Sequence, residues 1–238
     1  MGANRVKEGM SGSRVVAVIA SASALVTATR LCRPPDLFEL RLDLLRHSLE
    51  LVDRAIPKLR APLILTARHP AEGGRGTLRA DARQALLERF LEHAAFIDIE
   101  LRSIKQMRGL IQAAQQRRVG LILSWHDLNG RITGPALRRK VICAASAGAT
   151  IFKVATRTET PAELARVISL FQKTPRKLPI AAMGIGKLGR VSRIQLDQLS
   201  SALTYVALGK PAVAGQPSLS QLRRHRSAYG IKNTISRP

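Results

Sequence analysis

One lysine, Lys153, interrupts an otherwise apolar and β-branched run, ATIFKVAT at residues 149–156. A cation is costly to bury, so an apolar setting favours the neutral amine. A neutral lysine in a pocket can form a Schiff base with a carbonyl substrate. The plain alternative is a strand-end lysine that carries its charge to solvent along an apolar stem. The other polar residues at the ends of apolar runs favour chemistry. Glu39, Arg41 and Asp43 close one run, and Arg68 follows another, with Glu72, Gly73 and Gly74 beyond it. Asp98 and Glu100 end a third run, and His126 and Asp127 a fourth. Histidine changes charge near neutral pH and can take and return protons. A glycine-rich stretch leads to Arg193, and Gln216 closes AVAGQ. Charged ends on five or more runs, joined by a lysine and a histidine, are hard to explain as solvated faces.

Positioning such residues requires strands that end on one rim. Strand-like runs fall at 14–20, 37–42, 62–67, 95–101, 119–124, 149–154, 178–183 and 203–207. Helical patterns lie between them, at 79–93, 104–117, 133–147 and from Thr158 onward, where a threonine, a proline and then acids mark a helix start. Eight strands alternating with helices predict a parallel sheet, and eight units in one chain of this length predict a single-domain α/β (β/α)8 TIM barrel. An open doubly wound sheet is the competing arrangement. In a barrel, chemistry sits at the carboxyl ends of the strands. The expected organisation is an N-terminal extension at 1–13, a catalytic barrel at 14–224 and a basic, disordered C-terminal tail at 225–238.

The chain has 238 residues, 39 lysines and arginines against 16 acids, and a formal net charge of +23. Such a field attracts polyanions. The basic residues are scattered, however, and aromatics are only 3%, with none interleaved to stack bases. This argues against a nucleic-acid partner and for an overall basic surface. No apolar run is long enough to span a membrane, and the apolar stretch after Ser13 is too short for a secretory signal. Cys32 and Cys143 have no metal-ligand spacing and read as reduced core thiols, which suits a cytoplasmic location. The five histidines have no paired ligand spacing, so no metal site is expected. GIGKLG at 184–189 matches a dinucleotide-binding glycine pattern, but no acid occurs after Asp197, so no nucleotide cofactor is expected.

The ordered motifs resemble the type I 3-dehydroquinate dehydratase family. They are the Glu-x-Arg-x-Asp of 39–43, TARHPAEGG at 66–74, IDIEL at 97–101, SWHD at 124–127, FKVA at 152–155, MGIGKLGRVSR at 183–193 and AGQPS at 214–218. The resemblance covers roughly residues 14–224. It implies a homodimeric (β/α)8 barrel of the shikimate pathway that dehydrates 3-dehydroquinate without metal or added cofactor. It implies that Lys153 forms an imine with the substrate ketone, and that His126 takes the neighbouring proton and protonates the departing hydroxyl. Glu72 would orient His126 and support its protonated form. Arg193 would clamp the substrate carboxylate, and Ser21, Glu39, Arg41, Arg68 and Gln216 would bind its remaining oxygens. For Arg41 and Arg68 the rival role is neutralising nearby carboxylates. The family commonly has a hydroxyl residue four before the glutamine, where this chain has Ala212. Two other readings stand beside this one: another Schiff-base barrel lyase of the class I aldolase kind, and a non-enzymatic polyanion-binding protein.

Overall fold

Side chains alternate across a strand, so a strand buried on both faces needs two separate sets of partners. A computed structural model describes residues 12–175 and 178–230 of the chain, and both sets are present in it. Eight parallel strands are β1 (Arg14–Ile19), β2 (Leu37–Arg41), β3 (Leu63–Thr66), β4 (Ala94–Glu100), β5 (Gly120–Asp127), β6 (Ile151–Arg157), β7 (Ile180–Ile185) and β8 (Leu203–Ala207). Their order is β7-β6-β5-β4-β3-β2-β1-β8. The seam between β7 and β8 is bridged where Ala202 N–H donates to Ile180 O at 2.8 Å, and where Ser201 Oγ accepts from Ala182 N–H at 3.0 Å. The result is a nearly closed TIM barrel, as expected, rather than an open sheet.

The helices wrap the outside: α1 (Ala22–Thr29), α2 (Leu42–Leu45), α3 (Leu49–Ala55), α4 (Ala80–Arg89), α5 (Arg108–Gln116), α6 (Gly134–Ser146), α7 (Pro161–Lys173), α8 (Gly189–Gln198) and α9 (Leu219–Ala228). Outward strand residues such as Phe38, Leu40, Ile97, Ile99, Leu123 and Phe152 form a core beneath these helices. Inward residues such as Val16, Val18, Ile64, Ile122, Ile151 and Met183 fill the barrel. Helix starts follow local chemistry. Thr160 and Glu163 form a capping box on α7 with Pro161 at its first turn, and Ser218 and Gln221 do the same for α9.

Boundaries differ from the sequence reading in informative places. β5 runs on to Asp127 and β6 to Arg157, so His126 lies inside a strand. The 79–93 helix ends at Arg89 and tightens into a 3-10 turn over Leu91–His93. Both cysteines are free but exposed, so they are not core thiols. Among the described residues no helix is long and apolar enough to cross a membrane.

The expected tail boundary at residue 225 is overturned, because α9 runs through it to Ala228. Arg226 is buried, donates to both carboxylate oxygens of Asp197, and also donates to Ser13 O at 2.7 Å. Residues 231–238 and most of the 1–13 extension lie outside the described residues. Arg226→Ala would strand the buried Asp197 carboxylate, at an expected cost of about 3–5 kcal/mol, or roughly 10 °C of melting temperature by calorimetry. Arg89→Ala, whose partner Asp53 is 46% exposed, should cost less than about 1 kcal/mol.

Candidate active site

The same alternation that builds the barrel turns polar residues inward near its carboxyl end. Along β2 these are Glu39 and Arg41; along β4, Asp98 and Glu100; along β5, Ser124 and His126; and in β6, Lys153. They meet over a cavity of about 220 Å³, suited to one small molecule. Glu39, Arg41, Arg68, Glu72, His126, Lys153, Arg193 and Gln216 all line it. Ser21 does not. It is exposed and caps α1 instead, its hydroxyl accepting from Ala24 N–H at 3.1 Å.

Lys153 is 3% exposed. Its amine is not isolated, contrary to the sequence expectation: Nζ donates to Glu39 Oε1 at 3.0 Å and to Asp98 Oδ2 at 2.8 Å. It also lies 3.9 Å from the centre of the Tyr205 ring. Two carboxylates and an aromatic face stabilise a cation here. Burial alone would push Asp98 up, but Arg68 and Lys153 together outweigh it and hold its carboxyl far below the usual range. Asp98 therefore stays ionised.

Arg68 is fully committed to this layer. Its Nη1 donates to Asp98, Glu100 and Ser124, and its Nη2 to Asp98 at 2.8 Å. Burial opposes its charge, yet Asp98 and Glu100 prevail and its pKa is raised well above the ordinary value. Arg41 grips Asp43 through two hydrogen bonds of 2.9 and 2.8 Å. Both arginines thus take the carboxylate-neutralising role while also facing the cavity. Arg83, which the sequence reading left inside a helix pattern, reaches in from α4 to pair with Glu100 and to donate to Ala67 O at 2.7 Å. Glu100 in turn accepts from His69 N–H at 2.9 Å, at the start of the loop that carries Glu72.

Glu72 Oε2 meets both the backbone N–H and Nδ1 of His126, each at 3.0 Å. Burial, then the charge of Glu100, raises Glu72 to about 7. Burial, then the positive charges of Arg68 and Lys153, drives His126 well below its ordinary value. The two shifts agree: both favour a neutral resting pair. Glu72 therefore orients the ring rather than holding an imidazolium in the resting state. Of the two ring nitrogens, Nδ1 is the one tied to Glu72.

Arg193, from α8, is 3% exposed. Its Nη1 donates to the carbonyls of Gly184, Gly189 and Gly215 at 2.6, 3.1 and 3.2 Å. This three-carbonyl seat depends on Gly215, whose φ is +76° and whose Cβ would sit 2.3 Å from Gly186 O. Burial, with no carboxylate to offset it, brings the Arg193 guanidinium down to about 10, so it remains charged at neutral pH. Its Nε has no hydrogen-bond partner. A guanidinium N–H left unpartnered in a buried setting lacks the anion that such groups bind well. Gln216 Oε1 accepts from Ala212 N–H at 3.3 Å, which leaves its amide NH2 as a donor.

Two residues around the Lys153 amine were missed as site candidates. Asp98 was read only as a strand-end charge, although its two-residue spacing from Glu100 already put both on one face. Tyr205 gave no signal beyond being a polar aromatic in an apolar strand. Among the described residues, no group of three or more His, Cys, Asp or Glu side chains is placed to hold a metal ion. Together the cavity brings an amine, an imidazole and a buried guanidinium to one place.

A family model described as type I 3-dehydroquinase matches residues 15–233. A 3-dehydroquinate dehydratase of Pyrococcus abyssi is 35% identical over 191 residues, covering 79% of this chain and 85% of the relative. One from Desulfotalea psychrophila is 32% identical over 193 residues, covering 79% and 84%. The crystal structure of 3-dehydroquinate dehydratase from Geobacillus kaustophilus superposes with a TM-score of 0.82 at 24% identity, covering 95% of this chain and 93% of that one. The chain belongs to the type I 3-dehydroquinase family.

Proposed function

We propose that this chain, a hydro-lyase acting as a 3-dehydroquinate dehydratase, eliminates water through an imine on Lys153, with His126 moving the protons. The observation that carries the reading is the buried Lys153 amine, set between Glu39 and Asp98 in the same cavity as His126. The amine sheds a proton to solvent before it attacks the ketone. Attack then forms a carbinolamine, whose hydroxyl takes a proton up again as it leaves as water, and this loss gives a protonated imine. That iminium carries its charge where the ammonium was, so Glu39 and Asp98 stabilise both. The iminium draws electrons from the neighbouring C–H bond. Neutral His126 accepts that proton and returns it to the departing hydroxyl, a contribution of about 10²–10⁴ in rate. Hydrolysis of the product imine restores the lysine.

Arg193 is the carboxylate clamp in this reading, because it lines the cavity with an unpartnered Nε and no carboxylate offsets its charge. Arg41 and Glu39 bind substrate hydroxyls from one wall and Gln216 from the other. Arg68 contributes mainly by fixing Asp98. Ser21 has no place in the site. The same family reading carries a homodimer and a cytoplasmic setting. Production of the enone from 3-dehydroquinate, followed by absorbance, is the direct test.

Borohydride added with substrate should leave a stable adduct on Lys153, located by peptide mass spectrometry. Lys153→Ala should give neither adduct nor product. His126→Ala should still trap substrate while kcat falls by about 10²–10⁴; normal turnover in that variant would refute the proton-transfer role.

The pH profile tests Glu72. As pH rises through about 7, Glu72 ionises and makes His126 a stronger base, so kcat/KM should climb. Glu72→Gln has no charge to gain, and its profile should lack that rise.

Arg193→Lys replaces a planar fork with a point charge. Steady-state kinetics should record a loss of about 2–3 kcal/mol in kcat/KM. Unchanged kinetics would place the substrate carboxylate elsewhere.

A further inference from the structure

Among the described residues, two buried side-chain polar atoms have no hydrogen-bond partner: Arg193 Nε and the Tyr205 hydroxyl. Both residues line the same cavity. Glu39, Thr66, Arg68, Asp98, Ser124 and Lys153 are joined in one network, and Arg41, Asp43 and Glu72 also have partners. Unpartnered groups are therefore concentrated where a ligand enters. Arg193 has its partner in the carboxylate proposed above. Tyr205 has none so far.

Tyr205 projects inward from β8 on the same face as Leu203 and is 2% exposed. Its ring takes the Lys153 ammonium on its face at 3.9 Å. A phenylalanine would make the same contact. The hydroxyl is the part that needs explaining, because burying it without a partner costs about 1–3 kcal/mol. Burial, then the charges of Glu39 and Asp98, raise its pKa well above the ordinary value. It is therefore a neutral O–H, which donates, and not a base. Both carboxylates near it are already engaged, by Lys153, Thr66, Arg68 and Ser124. The ring packs against the reacting amine, so its hydroxyl belongs to the same wall of the cavity as that amine.

We propose that Tyr205 is a further substrate-contacting residue, whose ring holds the Lys153 cation and whose hydroxyl donates to the ligand oxygen on the carbon that Lys153 attacks. The inference rests on the lysine-imine reading. In the free ketone that oxygen is a carbonyl, and after attack it is the carbinolamine hydroxyl that leaves as water. A hydrogen bond from Tyr205 polarises the first and steadies the second, with no proton gained or lost by the phenol.

Tyr205→Phe isolates the hydroxyl, since it keeps the ring. In the full-length protein, kcat/KM for 3-dehydroquinate should fall about tenfold. Borohydride trapping at Lys153 should slow by a similar factor. The melting temperature without substrate should hold or rise, because an unpartnered group has been removed. Full kcat/KM in the variant would overturn the proposal. So would a kinetic loss accompanied by a lower melting temperature, which would mean that the hydroxyl serves the fold. Failure of the underlying imine reading is distinguishable: the unsubstituted protein would then give no adduct on Lys153, and the proposal would fall with it.

Discussion

Charge balance inside the barrel is the constraint on which the rest of the structure depends. Isolated buried charges are prohibitively costly, and pairing has to be close to complete. At the carboxyl end of the strands, Arg41, Arg68, Arg83 and Lys153 face Asp43, Asp98, Glu100 and Glu39 at hydrogen-bonding distance. Arg68 is the keystone, since it joins β3 to carboxylates on β4 and to Ser124 on β5. Removing any one member leaves another charged group unmatched. That ties the Lys153 amine to residues on several strands and on α4.

Two groups stand outside the paired set, and they suggest what the cavity is for. Arg193 is a buried cation without a carboxylate, and Glu72 sits near its titration point at about 7. With Glu72 neutral, the empty cavity carries one uncompensated positive charge. A small carboxylic acid arriving as its anion restores neutrality.

Much of the barrel was legible because strand periodicity is a local signal. The pattern Ile151, Lys153, Ala155 inward and Phe152, Val154 outward follows from alternation alone, and the structure divides these residues between its two cores in that way. His126 and Glu39 obey the same rule. Long-range partners were not legible. The sequence reading took Lys153 to be alone in an apolar setting, because Glu39 and Asp98 are distant along the chain and meet it only once the barrel closes. Ser21 looked like a site residue because it ends a strand, but a serine before a helix is equally a cap, and the cap won. Arg226 looked like part of a polar tail, since nothing local shows that Asp197 lies buried opposite it.

The bond from Arg226 to Ser13 O joins positions 213 apart in sequence. By loop-closure scaling, bringing such distant points together costs on the order of 5 kcal/mol of chain entropy. The contact is therefore among the last to form as the chain folds. Until β8 and α9 arrive, β1 presents an unpaired edge, a surface on which strands of other chains can add. During synthesis the N-terminal strands emerge long before that edge is covered. The seam that completes the barrel thus sets an interval during which the edge of β1 at the amino end of the chain waits for its cover from the carboxyl end.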